Sequence, residues 1–238
     1  MELISVGIEG LNKLIGGGIP RRTILLLSGV PGVGKTVFCQ QFIYEGLKNG
    51  EYGIYLTMDE SPEDVKERMK IFGWDVTEYE KKGQLVFIDC YSWRLGELSG
   101  SKSRFALSSP TDINQLNRIV IEGQREVQKF SDKGRVVLDS LSTLVMYAGL
   151  EPVFKFTQVF AARAKQQNNT GLLVLEEGVH DEKLSNALQY TTDGVIEFRM
   201  YEDDSNIKRQ LRILRMKFAK HFANWVDFEI TDNGITIK

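Results

Sequence analysis

Eight residues near the start of the chain have the spacing of a phosphate-binding loop. The segment from Gly29 to Thr36 reads GVPGVGKT and matches the pattern G-x-x-x-x-G-K-[ST]. Its glycines let backbone N–H groups turn inward around phosphate oxygens, and the N-terminus of a following helix favours an anion. Lys35 can reach the β- and γ-phosphates, and the Thr36 hydroxyl can ligate Mg²⁺. The predicted nucleotide contacts are Gly29, Val30, Pro31, Gly32, Val33, Gly34, Lys35, Thr36 and Val37.

A further Mg²⁺ ligand is predicted at Asp139. The apolar run over residues 135–139 is typical of a buried strand, and it ends in this acid at the edge where α/β sheets place their ligands. Asp139 can therefore complete the Mg²⁺ shell together with Thr36. The alternative interpretation is an aspartate that caps a helix or a turn.

Two adjacent acids, Asp59 and Glu60, follow the second apolar strand and precede a helix. Hydrolysis of a triphosphate needs a group that orients and deprotonates water. Neighbouring side chains of an extended chain point to opposite faces, so one of the two acids is predicted to face the γ-phosphate. The alternative is that the pair serves the electrostatics of the helix N-terminus.

The C-terminal part carries a run of basic residues with no acid among them. The run consists of Lys208, Arg209, Arg212, Arg215, Lys217 and Lys220. Arg215 and Lys217 share one face of a predicted strand, and such a pair can stabilise charge on a transferred phosphoryl group as an arginine finger does. The P-loop of the same chain is far away in sequence, so these cations could serve a neighbouring subunit. A solvated basic strand is the alternative.

Strand-like and helix-like segments alternate along the chain, which predicts an α/β fold with a mostly parallel sheet flanked by helices. Predicted parallel strands cover residues 23–28, 53–58, 85–89, 135–139 and 171–176. Predicted helices begin after Ser61 and cover residues 113–130 and 153–168. Four antiparallel strands are predicted at 195–201, 209–218, 224–231 and 235–237, with a turn at 203–206.

The apolar alternation slips inside the second of these antiparallel strands. Leu211 and Ile213 occupy one parity, whereas Leu214 and Met216 occupy the other. A β-bulge or burial on both faces of the strand would explain the slip.

Composition sets outer limits on function. The 238 residues are enough for one α/β domain covering the whole chain (residues 1–238), and the net charge of −2 gives no global field that would recruit nucleic acid. Cys39 and Cys90 lie in apolar segments, which predicts two buried thiols in a reducing cytoplasm. No apolar stretch reaches membrane-spanning length, and the first residues do not resemble a signal peptide.

Residues 92–110 form the least regular part of the chain. Trp93, Arg94, Lys102, Arg104 and Phe105 stand there among serines and glycines. Aromatic and basic residues together could mark a loop that binds nucleic acid or a partner. The favoured prediction is a mobile surface insertion.

Seven short motifs carry a family resemblance. They are GIEGLN at 7–12, LIGGGIP at 14–20, MDESP at 58–62, FGWD at 72–75, LDSLS at 138–142, DGVI at 193–196 and ITDNGI at 230–235. With these motifs the chain resembles, almost end to end, the KaiC-like branch of the RecA superfamily of ATPases. The resemblance implies a RecA-like P-loop fold and a ring, commonly a hexamer, with ATP or ADP between subunits.

The same resemblance implies roles for residues outside the P-loop. The family's Lys-x-Arg motif, which reaches the neighbour's nucleotide, stands here as Arg215-Met216-Lys217 with the two cations exchanged. His221 and Asp232 fall on positions that approach the ribose and base from the next subunit.

Two departures from the family pattern stand out. The family usually has Glu-Glu where this chain has Asp59-Glu60, and the first acid is generally the catalytic one. Asp59 is one methylene shorter, which leaves Glu60 as an alternative. The family's cyanobacterial clock protein has two such domains in tandem, whereas one is expected here. The phosphorylated Ser-Thr pair of that protein's second domain falls on Gln189 and Tyr190, so clock-type autophosphorylation is not expected there.

Three functions follow as hypotheses. The leading one is a Mg²⁺-dependent ATPase that acts as a homo-oligomeric ring, with regulation or signalling as its output. The second is a RecA- or RadA-like DNA-binding accessory of recombination, which is disfavoured because residues 176–191 carry four acids (Glu176, Glu177, Asp181 and Glu182) against one lysine. The third is an autokinase or a nucleotide-sensing scaffold, and no client protein is identified.

Overall fold

The computed structural model describes residues 2–96, 103–180, 182–204 and 206–238. Asp181, Lys102 and Ser205, which the sequence predictions include, lie outside this part. The strands are β1 (Leu3–Ile4), β2 (Ile19–Pro20), β3 (Ile24–Gly29), β4 (Tyr52–Thr57), β5 (Leu85–Asp89), β6 (Gly134–Asp139), β7 (Asn169–Glu176), β8 (Gly194–Asp203), β9 (Asn206–Met216), β10 (Val226–Thr231) and β11 (Gly234–Ile237). The helices are α1 (Glu9–Leu14), α2 (Lys35–Lys48), α3 (Pro62–Ile71), α4 (Thr77–Lys81), α5 (Ile113–Val127), α6 (Leu141–Ala148), α7 (Leu150–Gln166) and α8 (Glu182–Thr191), with a 3₁₀ turn at Ser92–Leu95.

The main sheet has the strand order β11-β10-β9-β8-β3-β7-β6-β4-β5. Strands β3 to β8 pair in parallel, and β9 to β11 are antiparallel, so the predicted α/β architecture is confirmed and is RecA-like. One strand differs from its prediction. β8 was grouped with the antiparallel strands, but it pairs in parallel with β3 and antiparallel with β9. The α8 crossover before it returns the chain to the parallel direction.

The two faces of β3 belong to two apolar cores. Leu25 and Leu27 join the core that contains Phe38 and Phe42 of α2. Ile24 and Leu26 join the other core, which lies under α5, α6 and α7. Side chains alternate across a strand, so a continuous apolar run is required where helices cover both faces.

Local signals in the sequence set several boundaries. The Ser61 hydroxyl accepts a hydrogen bond from the Asp64 N–H at 3.1 Å and caps α3, with Pro62 in its first turn. The predicted bulge is confirmed: Val195 pairs with Arg215 and Ile196 with Ile213, which leaves Leu214 as the extra residue.

The prediction of a surface insertion over residues 92–110 is wrong for part of that segment. Phe105 and Leu107 are buried in the core under α5, and the backbone beside them pairs with Asp89 at the end of edge strand β5. Two apolar side chains at alternate positions gain more from burial than from exposure, and they also protect the sheet edge.

Among the helices of the described residues, none has the length and apolar character that a membrane span requires.

A buried charge cluster joins the strands at their amino-terminal ends. The Glu51 carboxylate accepts hydrogen bonds from Arg21 at 3.0 Å and from Arg135 at 2.8 Å. Arg135 also donates to the Ser5 and Phe42 carbonyls, both at 2.8 Å. One buried carboxylate is thus shared by two buried guanidinium groups, and Glu2 supplies a second carboxylate to Arg21 at 3.0 Å.

Replacing Glu51 with Gln is expected to lower the free energy of unfolding by about 3 kcal/mol, because two guanidinium groups lose the charge that compensates their burial. Urea unfolding followed by circular dichroism measures this change. The matched control is Glu78→Gln, which removes an exposed carboxylate bonded to Lys81 and should leave the midpoint unchanged. Equal midpoints for the Glu51 variant and the wild type would contradict the assignment.

Candidate active site

The candidate site lies at the carboxyl-terminal edge of the parallel strands. Gly29 at the end of β3 pairs with Glu176 at the end of β7, and Thr57 at the end of β4 pairs with Asp139 at the end of β6. The P-loop follows β3, and Asp59 follows β4 by two residues. Four adjacent strands therefore place the P-loop and these acidic residues at one edge of the sheet, as expected for this class of fold.

Two glycines of the P-loop are required by its geometry. A Cβ at Gly29 would stand 2.5 Å from the Phe198 carbonyl oxygen, because β8 passes directly beside it. Gly34 has a φ of 118° in the left-handed region and immediately precedes α2, which begins at Lys35. The loop consequently ends on a helix N-terminus, where backbone N–H groups are free to bind an anion.

Lys35 is buried and held by three oxygen atoms. Its Nζ donates to the carbonyls of Gly29 at 2.7 Å and Val30 at 2.8 Å, and to Glu176 Oε2 at 2.7 Å. The two carbonyls belong to the P-loop itself, so the ammonium group lies against the loop. Glu176 is the anionic partner of this lysine.

Asp139 is a buried carboxylate in an acidic surrounding. The Tyr55 hydroxyl donates to its Oδ2 at 3.0 Å, and Thr36 supplies a further hydrogen bond. Burial raises the pKa of Asp139 to about 6, and the charges of Asp59 and Glu176 also raise it, against the lowering effect of the two hydroxyl groups. Ionisation of Asp139 is therefore less favourable than that of an exposed aspartate, and a positive charge beside it would favour the ionised form.

This donor set fits Mg²⁺. The described residues contain no group of three or more His, Cys, Asp and Glu that could hold a metal ion by themselves. Mg²⁺ usually binds one or two carboxylates and takes its remaining ligands from water and substrate phosphates. A buried carboxylate beside the P-loop threonine, with its charge uncompensated, meets that requirement.

The two acids of the MDESP motif have different surroundings. Asp59 is half exposed and accepts hydrogen bonds from Ser140 at 3.0 Å and from Thr143, both at the start of α6. Glu60 is bonded to Arg68 of α3 at 2.5 Å. Asp59 is thus directed toward Asp139, whereas Glu60 is engaged with a neighbouring helix.

Arg215 and Lys217 lie at the opposite edge of the sheet from the P-loop of their own chain. Arg215 donates to the carbonyls of Gln189 and Thr192, and Lys217 to Asp193 at 3.4 Å. Asp193 also accepts the N–H of Ile24, the first residue of β3. The P-loop begins at the other end of β3, which is roughly 15 Å from Ile24 at about 3.3 Å per residue. The structure does not bring these cations to the P-loop.

The two remaining predicted contacts differ in position. Asp232 is exposed in the turn between β10 and β11. Ile230, just before this turn, packs against the P-loop, because a Cβ added at Gly34 would stand 3.0 Å from Ile230 Cδ1. This turn is therefore on the P-loop side of its own chain. His221 lies in the segment between β9 and β10, and its Nδ1 is buried with no hydrogen-bond partner among the described residues.

Sequence reasoning did not assign a site role to Glu176, Tyr55, Ser140 or Thr143. Glu176 was counted only as one acid in a segment unfavourable for DNA. Its position at the end of a buried strand was an available signal, because β7 lies next to the P-loop strand. The roles of Tyr55 and Thr143 depend on side-chain directions that strand and helix periodicity alone do not give.

Comparisons with known proteins agree with this geometry. The family described as "ATPase: KaiC" matches residues 4–238. A UPF0273 protein of Thermotoga maritima is 34% identical over 240 residues, covering 100% of this chain and 96% of the relative. The UPF0273 protein PH0284 of Pyrococcus horikoshii is 32% identical, covering 98% of this chain and 93% of the relative. The crystal structure of the KaiC-like protein PH0186 from Pyrococcus horikoshii superposes with a TM-score of 0.80 at 25% identity, covering 100% and 99% of the two chains. This chain belongs to the KaiC ATPase family. Its membership of this family supports an ATP-binding ATPase domain.

The raised pKa of Asp139 predicts a pH-dependent cost to stability. The unfolded carboxyl ionises near pH 3.8 and the folded one near pH 6, so the folded state binds more protons between these values and the wild type loses stability as pH rises through that window. Asp139→Asn is expected to be more stable than the wild type by about 3 kcal/mol at pH 8, without metal or nucleotide. The advantage should shrink below pH 6 and vanish near pH 4.

Urea midpoints measured from pH 4 to pH 8 test this expectation. Asp227→Asn is the control, because this half-buried aspartate lies on β10 and accepts a hydrogen bond from Gln210. A stability difference between Asp139→Asn and the wild type that is constant with pH would contradict the assigned ionisation.

Proposed function

We propose that this protein hydrolyses ATP to ADP and phosphate with Mg²⁺, as a homo-oligomeric ring with nucleotide between neighbouring copies. The observation that carries the proposal is the juxtaposition of the P-loop lysine, held at 2.7 Å by Glu176, with the buried carboxylate of Asp139. A phosphate-binding cation and an uncompensated metal-binding acid at one strand edge are the two parts that phosphoryl transfer needs. Family membership supports ATP as the nucleotide.

Binding begins with the P-loop. The backbone N–H groups of residues 29–37 and the N-terminus of α2 would surround the phosphates, and Lys35 would exchange Glu176 for a phosphate oxygen. Thr36 and Asp139 would hold Mg²⁺, which would neutralise the charge of the β- and γ-phosphates. The exposed Asp232 turn supports a contact to the base from the P-loop side of the same chain, although the family pattern suggests the next subunit.

Asp59 is the proposed water-orienting acid. Hydroxyl groups of α6 fix its carboxylate, and its charge acts on Asp139, so it faces the metal side of the site. In-line attack requires the water to be held opposite the leaving ADP, with its proton accepted by this carboxylate. Glu60 would support the turn through its bond to Arg68.

A neighbouring copy is proposed to complete the site. Arg215 and Lys217 stand at the amino-terminal edge of the sheet, whereas the P-loop stands at the carboxyl-terminal edge. A contact between these two unlike edges is heterologous, and it generates a closed ring when its rotation closes. The two cations, and His221 after them, would then reach the nucleotide of the next copy, in a ring that the family resemblance suggests is a hexamer.

No specific observation favours the other two hypotheses. The described part of residues 176–191 presents Glu176, Glu177 and Glu182 against Lys183, which is unfavourable for DNA. A kinase output would be detected as label from γ-labelled ATP retained on protein. The two free cysteines are buried and fit a reducing compartment, so we propose the cytoplasm as the site of action.

Lys35→Ala is expected to abolish ATP binding and turnover, because the phosphates lose their main cationic ligand. Calorimetry with Mg-ADP and phosphate release from Mg-ATP measure the two effects. The control is Lys48→Ala, which removes a half-exposed lysine bonded to Glu45 at the other end of α2. Turnover at the wild-type rate in the Lys35 variant would eliminate the proposed site.

Mixing two inactive variants tests whether the site is shared. Lys35→Ala keeps its basic edge, and Lys217→Ala keeps its P-loop, so each should be at least about tenfold slower than the wild type alone. In random mixed rings about a quarter of the interfaces combine an intact P-loop with an intact lysine, and activity should recover to that extent. Activity that stays at the mean of the two separate variants would show that no shared site exists.

A further inference from the structure

Arg94 is held beside Asp59 by an unusual set of contacts. Its guanidinium group lies over the rings of Tyr91 at 4.8 Å, Trp93 at 5.2 Å and Tyr147 at 5.7 Å from each centroid. Cation–π contacts with three aromatic rings restrict both the position and the plane of the group. Trp93 and Tyr147 also contact each other edge to face at 5.0 Å.

The fixed guanidinium is directed at the strand end that carries Asp59. Its Nη1 donates to the Met58 carbonyl at 2.6 Å, and its Nη2 stands 4.0 Å from Asp59 Oδ1. The Met58 N–H bonds to the Asp139 carbonyl at 2.7 Å. Arg94 therefore contacts Met58, whose backbone links Asp59 to Asp139.

Helix α6 holds the same carboxylate from its other side. Ser140 and Thr143 donate to the two oxygens of Asp59, and Tyr147, one turn further along α6, contacts the Arg94 group. Asp59 thus lies between two supports that are themselves packed together. Glu60 differs from Asp59 in its contacts, since its Oε1 is bonded to Arg68 of α3 and its charge acts on Tyr55.

We infer that Arg94 is a positioning residue for the water-orienting acid. This inference rests on the proposed function and adds to it. An aspartate reaches one methylene less far than a glutamate, so its useful position is set by the backbone that carries it. Arg94 fixes that backbone through the Met58 carbonyl and holds the carboxylate by charge, while nucleotide binding depends on the P-loop. Its loss lowers turnover and leaves affinity unchanged.

A double-mutant cycle tests the inference. Arg94→Met should lower kcat for Mg-ATP by about 10- to 100-fold, with KM and the Kd for ADP within about threefold of the wild type. In the Asp59→Asn background the same substitution should cause no further loss, measured as labelled phosphate released over long single-turnover incubations. In the Glu60→Gln background it should cause the full loss. Arg94→Lys should recover little, because an ammonium group cannot both bond to the carbonyl and stack on the rings.

The control is Arg104→Met in the same region of the chain. Arg104 also stacks on an aromatic ring, Phe105 at 5.3 Å, but it is exposed and pairs with Glu126. The kcat of the Arg104→Met variant should equal that of the wild type. Equal kcat losses for Arg94→Met in the wild-type and Asp59→Asn backgrounds, or a raised KM in place of a lowered kcat, would overturn the inference.

A parallel cycle needs no turnover. The urea midpoint shift caused by Arg94→Met in ligand-free protein should be smaller in the Asp59→Asn background than in the wild type, whereas the Glu60→Gln background should leave it unchanged. Additive shifts would overturn the coupling of Arg94 to Asp59 even in an active enzyme. Coupled shifts in a wild type that releases no phosphate would overturn the proposed function and leave the coupling intact.

Discussion

The ion pair between Lys35 and Glu176 is the interaction on which the geometry of the P-loop depends. Lys35 is buried, and a buried ammonium group without a partner would be strongly unfavourable. Two P-loop carbonyls and one carboxylate supply what water would otherwise give. The loop keeps its shape around its own lysine, and the phosphate-binding conformation does not have to be formed when a nucleotide arrives.

The parallel sheet explains why these groups meet. Each parallel strand ends at the same edge, so loops far apart in sequence converge there without long excursions. The reversal of direction at β9 has the opposite effect, because it carries Arg215 and Lys217 to the other edge. One chain therefore presents acids and a P-loop on one edge and basic side chains on the other. The proposed contact between unlike edges of two copies depends on this polarity.

The sequence allowed the fold to be predicted where the physical signals were local. Continuous apolar runs located β3 to β7, the slip at Leu214 located the bulge, and Ser61 located the start of α3. The short helices α1 and α4 gave too few residues for a periodic pattern. β8 was misjudged because its pairing depends on a crossover, which no local pattern encodes.

The site was predictable as far as its motifs extended. The P-loop and Asp139 were identified from spacing and strand ends, and the structure places them together. The choice between Asp59 and Glu60 stayed open, since alternation gives opposite directions without saying which of the two side chains faces Asp139. Contacts with Ser140, Arg94 and Arg68 separate the two acids, and those contacts join segments up to 81 residues apart.

Charge explains why metal and nucleotide would have to bind together. Around the P-loop, the two cations Lys35 and Arg94 face three carboxylates, Asp59, Asp139 and Glu176, and burial already disfavours ionisation of Asp139. A triphosphate alone would add negative charge to a site with an excess of it. A divalent cation alone would find a single buried carboxylate and a hydroxyl, which is fewer protein ligands than a stable site needs. Bound together, the cation compensates Asp139 and the phosphates at once, and Lys35 can then leave Glu176 for a phosphate oxygen. An acidic site of this kind would bind the proposed metal complex in preference to the free nucleotide.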